Sequence, residues 1–138
     1  MKRVGLDTSV VLRLLVGEPA QQHLAALEYL QVLLAKKVKI VVSDLVLLEA
    51  YFALQNSYSM PKAEAIKALE RFVGSTHFET EPDSILGSDV FQSSAKAGLG
   101  DRLIAHRYLQ CADGFLTFDK AMSRLPGGHT ILTQQGDS

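Results

Sequence analysis

Arg3-Val4-Gly5-Leu6-Asp7-Thr8-Ser9-Val10-Val11-Leu12-Arg13-Leu14 is the stretch on which the reading turns. A short strand, Arg3 to Leu6, runs directly into an acid. A helical stretch, Ser9 to Val16, follows and is broken by Gly17 and Pro19. Strand, acid, helix is the opening of a β-to-α unit, and the pattern recurs. Val38 to Val42 is a β-branched run that reads as a buried strand. Ser43 or Asp44 then caps a helix to about Asn56. Phe115 to Phe118 is another strand, with Asp119 directly behind it and a short helix to Arg124.

Between these units the chain supplies helices. Ala20 to Lys37 carries Leu24, Leu27, Leu30 and Leu34 at helical spacing. Pro61 opens a helix that runs to Val73. A short strand is placed within Gly74 to Glu81, and a further helix over Asp83 to Ala97. Gly98 and Gly100 break the chain, so Asp101 begins the next helix, to Ala112. Pro126-Gly127-Gly128 is a turn, and His129 to Leu132 a last strand. Strands alternating with helices imply an α/β fold with a parallel sheet covered on both faces. Right-handed crossovers place the strand carboxyl ends on one edge, where ligands bind in open sheets.

The chain of 138 residues, with 47% hydrophobic and 21% charged residues, suits a single domain over 1–138 with one substantial core. No repeat or linker divides it. No apolar run reaches the ~18–20 residues of a membrane span. The apolar start contains Asp7 and Arg13 and lacks a small-residue cleavage site, so it is not read as a signal peptide. The single cysteine, Cys111, is read as a small buried hydrophobe, and a reducing cytoplasmic setting is expected. A net charge of −1 does not describe a module that holds nucleic acid by basic charge alone. It is compatible with a metallonuclease, because two bound divalent ions would reverse its sign.

Four carboxylates occupy positions that could converge on one sheet edge. Asp7 follows the first strand, and Thr8 and Ser9 offer equally good helix caps, so Asp7 is not needed as one. Glu49 stands in a helix that is apolar on every side, which implies burial and a need for a cation or donor. It lies only ~9 Å beyond the Ser43 cap along the helix. Asp101 and Asp119 open helices, and each alone reads equally well as a cap. As a set, the four suit Mg²⁺ or Mn²⁺, hard cations that take oxygen ligands. No Cys/His zinc spacing is present. One or two such ions would stabilise phosphate charge and activate water. Arg13, Arg102 and Lys120 adjoin these acids and are candidate contacts to an RNA backbone.

The ordered motifs resemble the PIN-domain family, especially the toxins of VapBC toxin–antitoxin pairs. The resemblance rests on Asp7-Thr8-Ser9-Val10-Val11-Leu12-Arg13-Leu14, Ser43-Asp44-Leu45-Val46-Leu47-Leu48-Glu49, Asp101-Arg102-Leu103-Ile104-Ala105 and Leu116-Thr117-Phe118-Asp119-Lys120. It implies an α/β/α sandwich with a central parallel sheet and a Mg²⁺- or Mn²⁺-dependent endoribonuclease. Metal binding and catalysis fall on Asp7, Glu49, Asp101 and Asp119, with Ser9 and Thr117 as polar helpers. It further implies homodimers and a small antitoxin partner. Hydrolysis by metal-activated water would leave a 5′-phosphate. Ala97-Gly98-Leu99-Gly100 departs from the family pattern, which often carries an extra acidic or polar residue there. Two other readings compete. A phosphatase with a nucleophilic Asp is disfavoured by Ser9, where such enzymes carry a second Asp; a non-enzymatic PIN-like scaffold is disfavoured by the complete acid set.

Overall fold

The computed structural model describes residues 2–86, 88–91 and 96–132. Its contacts gather into two compact units, Met1–Ser84 and Ile85–Ser138. The division falls within Pro82-Asp83-Ser84-Ile85-Leu86-Gly87-Ser88, a run of Pro, Ser and Gly too short to read as a linker from sequence.

The first unit contains β1 (Arg3–Leu6), α1 (Thr8–Val16), α2 (Ala20–Ala35), β2 (Lys39–Val42), α3 (Asp44–Asn56), α4 (Lys62–Val73) and β3 (Glu79–Thr80). The three strands pair in parallel in the order β1-β2-β3. Leu6 lies beside Val42, and Val42 beside Thr80. Asp7, Ser43 and Glu81 therefore leave the strands side by side at the carboxyl edge. The central strand buries Ile40 and Val42, the alternate positions that a pleated strand sends to one face. Its β-branched composition suits that place.

On α3, Leu47, Ala50, Tyr51 and Leu54 are buried, an inward stripe at helical spacing. Leu45 is 73% and Phe52 48% exposed, and Glu49 is exposed with them. The expected all-round burial of this helix is thus corrected. Composition was apolar around the whole helix, but the unit has an interior on only one side of it.

The α2 helix stops at Ala35, two residues short of the expected end. Lys37 adopts φ 60°, the left-handed conformation. The Val38 N–H donates to Leu33 O at 3.0 Å and the Lys37 N–H to Leu34 O at 2.9 Å. This is a Schellman close, in which glycine usually holds the left-handed place. Nothing in a lysine announces that role.

The second unit contains α5 (Ser88–Phe91), α6 (Leu99–Leu109), β4 (Phe115–Thr117), α7 (Lys120–Ser123) and β5 (Gly128–Thr130). Of the helix expected over Asp83 to Ala97, residues 83–86 and Ala97 are not helical. Residues 87 and 92–95 lie outside the described residues. Gly98 in extended backbone caps α6, so Leu99 and Gly100 are helical and Asp101 falls in the first turn rather than at the start. β4 and β5 pair in parallel, Phe115 beside Gly128. Ala97, Ala105, Phe115 and Leu125 form the small core, with Met122 packed on it.

The link from α7 to β5 is tight. Gly127 takes φ +83°, and a Cβ on Gly128 would lie 2.7 Å from Ser123 O and 2.9 Å from Met122 O. Two glycines let so short a crossover close. No helix of the described residues is long and apolar enough to cross a membrane.

Candidate active site

Asp7 is the N-cap of α1, in extended backbone directly after β1. Its Oδ1 accepts the Ser9 hydroxyl at 2.7 Å and the Val10 N–H at 3.2 Å. These donors, Ser9 first, hold its carboxyl below the usual aspartate value of 3.8 and outweigh the small opposing effect of burial. Asp7 therefore caps the helix after all, although Thr8 and Ser9 are equally good capping types. The reason is geometric: the first residue after the strand is the one in extended backbone with its side chain over the helix start.

Glu49 sits in the second turn of α3. Its Oε1 accepts the Thr8 hydroxyl at 2.6 Å. Asp7, Thr8 and Ser9 thus form a three-residue segment that orients two carboxylates. Asp7 is held by Ser9, and Glu49 is held by Thr8. From sequence Thr8 reads only as a candidate cap; its position between Asp7 and Ser9 is the available signal.

Two further acids order the same edge. Glu81 Oε1 accepts the Asp44 N–H at 2.8 Å and the Ser43 hydroxyl at 3.3 Å. Asp44 is buried and accepts the Ser84 hydroxyl at 2.6 Å. Ser43 in turn caps α3 through the Leu45 N–H. These contacts fix the start of the helix that carries Glu49.

In the second unit, Asp119 caps α7, with Oδ1 accepting the N–H groups of Ala121 at 2.8 Å and Met122 at 3.2 Å. The Asp119 N–H donates to Thr117 Oγ1 at 3.0 Å. The Thr117 hydroxyl thus engages the backbone of Asp119. Asp101 is half-buried in the first turn of α6, where the helix dipole favours a negative charge.

The first unit thus carries Asp7 and Glu49, and the second Asp101 and Asp119. Among the described residues no three His, Cys, Asp or Glu side chains gather as a ready metal cage. The donor set of each unit nevertheless fits a hard divalent cation. Asp7, Glu49 and Asp119 are exposed. Each has one oxygen held by a local donor. A carboxylate oriented in this way is suited to binding a cation through its second oxygen.

The basic neighbours divide. Lys120 is exposed beside Asp119. The Arg13 side chain turns to Gln22 Oε1 at 2.6 Å and Tyr58 OH at 3.4 Å. Arg102 is buried, with Nε donating to Ala97 O at 2.8 Å and Nη1 to Val90 O at 2.9 Å and Phe91 O at 3.2 Å. The expected RNA contact by Arg102 is corrected: its guanidinium is buried and engaged by the carbonyls of Ala97, Val90 and Phe91. Cys111 is exposed, not buried, because α6 ends at Leu109 and leaves it in the following turn.

No curated protein matches the chain. The family model of the PIN domain matches residues 4–128, which includes all four acids and elements of both units. The chain therefore belongs to the PIN-domain family, a family of nucleases with an α/β/α fold built on parallel strands.

Proposed function

We propose that this chain is a metal-dependent endoribonuclease and the toxin of a type II toxin–antitoxin pair. Asp7, Glu49, Asp101 and Asp119 hold Mg²⁺ or Mn²⁺, in one PIN domain that comprises both units. The observation that carries the reading is the half-engaged carboxylate. Asp7, Glu49 and Asp119 are each fixed through one oxygen and exposed.

When bound, a divalent ion supplies charge stabilisation at the scissile phosphate and a lowered pKa for water. The chain's own residues do the rest. Ser9 and the Val10 N–H keep Asp7 ionised. Thr8 fixes the rotamer of Glu49, and Thr117 fixes the backbone of Asp119. The exposure of Lys120 beside Asp119 supports a contact to a phosphate of the RNA. Attack by water on phosphorus, with the P–O3′ bond broken and the 3′ oxygen leaving, would give a 5′-phosphate; attack by a 2′-hydroxyl would give a cyclic phosphate instead.

A small antitoxin and a second copy of the chain are the proposed protein partners, in a cytoplasmic setting. The exposed apolar side chains support this: Leu24 at 57%, Tyr29 at 65% and Val32 at 54% on α2, and Leu45 on α3. Such residues are common singly but mark contact surfaces when grouped.

The test is cleavage of RNA by purified protein in Mn²⁺ or Mg²⁺ against EDTA, beside Asp7→Asn. Metal-dependent cleavage that disappears in the variant is expected. The competing reading is a non-enzymatic PIN-like scaffold. Calorimetry that finds no Mn²⁺ binding, together with no cleavage, would establish that alternative.

A further inference from the structure

The amino edge of the three-stranded sheet is the opposite of the carboxyl edge in charge. The register sets Arg3 beside Lys39, and the Lys39 N–H donates to Lys2 O at 2.9 Å. The Schellman close of α2 adds Lys36 and Lys37 directly before β2. Five cations, Lys2, Arg3, Lys36, Lys37 and Lys39, are thereby drawn to one edge, and all five are exposed. They are five of the 14 Lys and Arg in a chain of net charge −1. Bulk charge conceals this asymmetry.

One acid answers them. Glu79 pairs with Arg3 at 2.7 Å and with Lys39 at 3.4 Å. Lys2, Lys36 and Lys37 make no ion pair among the described residues. Beside them lies an open groove of about 390 Å³, lined by Lys37, Lys39, Thr76 and His77, by the apolar Leu34 and Ile40, and by Glu79, whose carboxylate is engaged by Arg3 and Lys39. Cations and hydroxyl or imidazole donors on a shallow apolar floor are a lining that suits a phosphodiester and its sugar. Lys37 is held in left-handed backbone, where glycine fits with less strain, so its side chain is kept against local preference.

We propose that this amino edge is a second nucleic-acid surface, which grips the phosphate backbone of single-stranded RNA away from the carboxyl edge that carries Asp7. The occupant is RNA because the proposed ribonuclease function, on which this inference rests, supplies a polyanionic chain long enough to reach it. Four-residue strands separate the two edges by only ~13 Å, a span of a few nucleotides. The carboxyl edge repels RNA in the absence of metal. The amino edge attracts it with or without metal, and less as salt rises.

The experiment is fluorescence anisotropy of a labelled single-stranded RNA in EDTA, where no cleavage runs, across a series of KCl concentrations. Wild type is compared with Lys36→Glu/Lys37→Glu, with Lys36→Arg/Lys37→Arg, and with Lys37→Gly. The reversal is expected to weaken binding on the order of tenfold and to flatten the salt dependence, because two phosphate contacts are lost. The arginine pair keeps affinity. Lys37→Gly relaxes the turn, so it folds at least as well as wild type yet binds RNA more weakly. Unchanged affinity in the reversal and glycine variants overturns the proposal, as does a wild type that binds no RNA. A poly-glutamate peptide is run in parallel; charge-dependent binding of that peptide, with RNA binding unaffected, overturns it in favour of an acidic protein partner. RNA bound through this edge but never cut would defeat the nuclease reading and leave the surface standing. Metal-dependent cleavage with unaltered affinity in the lysine variants would do the reverse.

Discussion

Thr8 and Glu49 are 41 residues apart in sequence, and the Thr8 hydroxyl meets Glu49 Oε1 at 2.6 Å. The contact joins the first turn of α1 to the second turn of α3. It fixes an exposed, flexible carboxylate in one rotamer. The residue that does so sits directly after Asp7, so one short segment orients both candidate ligands of its unit.

Thr8→Val keeps the shape of Thr8 and removes the donor. The bond is exposed, so stability should change by less than ~0.5 kcal/mol. Mn²⁺ affinity or cleavage rate should fall roughly tenfold, the usual scale for losing an orienting partner of a ligand. Calorimetry and urea unfolding on the same variant would separate the two. Unchanged metal affinity would mean that Glu49 is not a ligand or needs no orienting.

Asp7 has two jobs, and two variants separate them. Asparagine caps helices as well as aspartate, so Asp7→Asn should abolish cleavage with little loss of stability. Asp7→Ala should abolish cleavage and also cost ~1 kcal/mol from the lost cap. Urea midpoints for the pair check this.

The acid side of the stability profile follows from the same cap. The folded pKa of Asp7 is lowered, so its contribution is present above the ordinary value of 3.8 and fades as pH falls through the lower folded value. Its exposure keeps the effect small. Carboxyl NMR titration of metal-free protein should place Asp7 below 3.8, and Ser9→Ala should move it upward, because the Ser9 hydroxyl is the largest cause.

Arg102 predicts a folding defect rather than a binding defect. Replacing it with methionine leaves the carbonyls of Val90, Phe91 and Ala97 without that donor. A loss of roughly 2–4 kcal/mol is expected. RNA affinity per folded molecule should be unchanged. A variant of full stability but weakened affinity would return Arg102 to the RNA surface.

Gly128→Ala places a methyl against two carbonyl oxygens at 2.7 and 2.9 Å. Backbone must move to admit it, at a cost of ~1–3 kcal/mol. Thermal unfolding should show it; an unchanged midpoint would mean that the α7–β5 turn has slack.

Much of this was legible in the chain. The β-branched run Val38 to Val42 became β2, and the acid after each clear strand lies where a parallel sheet puts it. What failed had identifiable causes. Glu49 was expected to be buried because its neighbours are apolar, yet composition cannot say which side of a helix meets the interior. Asp101 was expected to open α6, but Gly98, with no side chain to cap anything, holds that place. The Thr8–Glu49 contact and the basic edge were hidden for a common reason: each depends on residues far apart in sequence that the fold brings together. The Schellman lysine lies within one short window, but a lysine carries no mark of left-handed backbone.

The capping role of the acids bears on how such a chain would change over time. Asp7 and Asp119 each close a helix, so selection for folding alone would retain both after catalysis had been lost. Their presence in any relative is weak testimony to activity. Glu49 caps nothing and stands in solvent, so folding gives it little protection from drift. Across a lineage, a neutral residue at position 49 beside intact aspartates would mark a descendant that has stopped cutting.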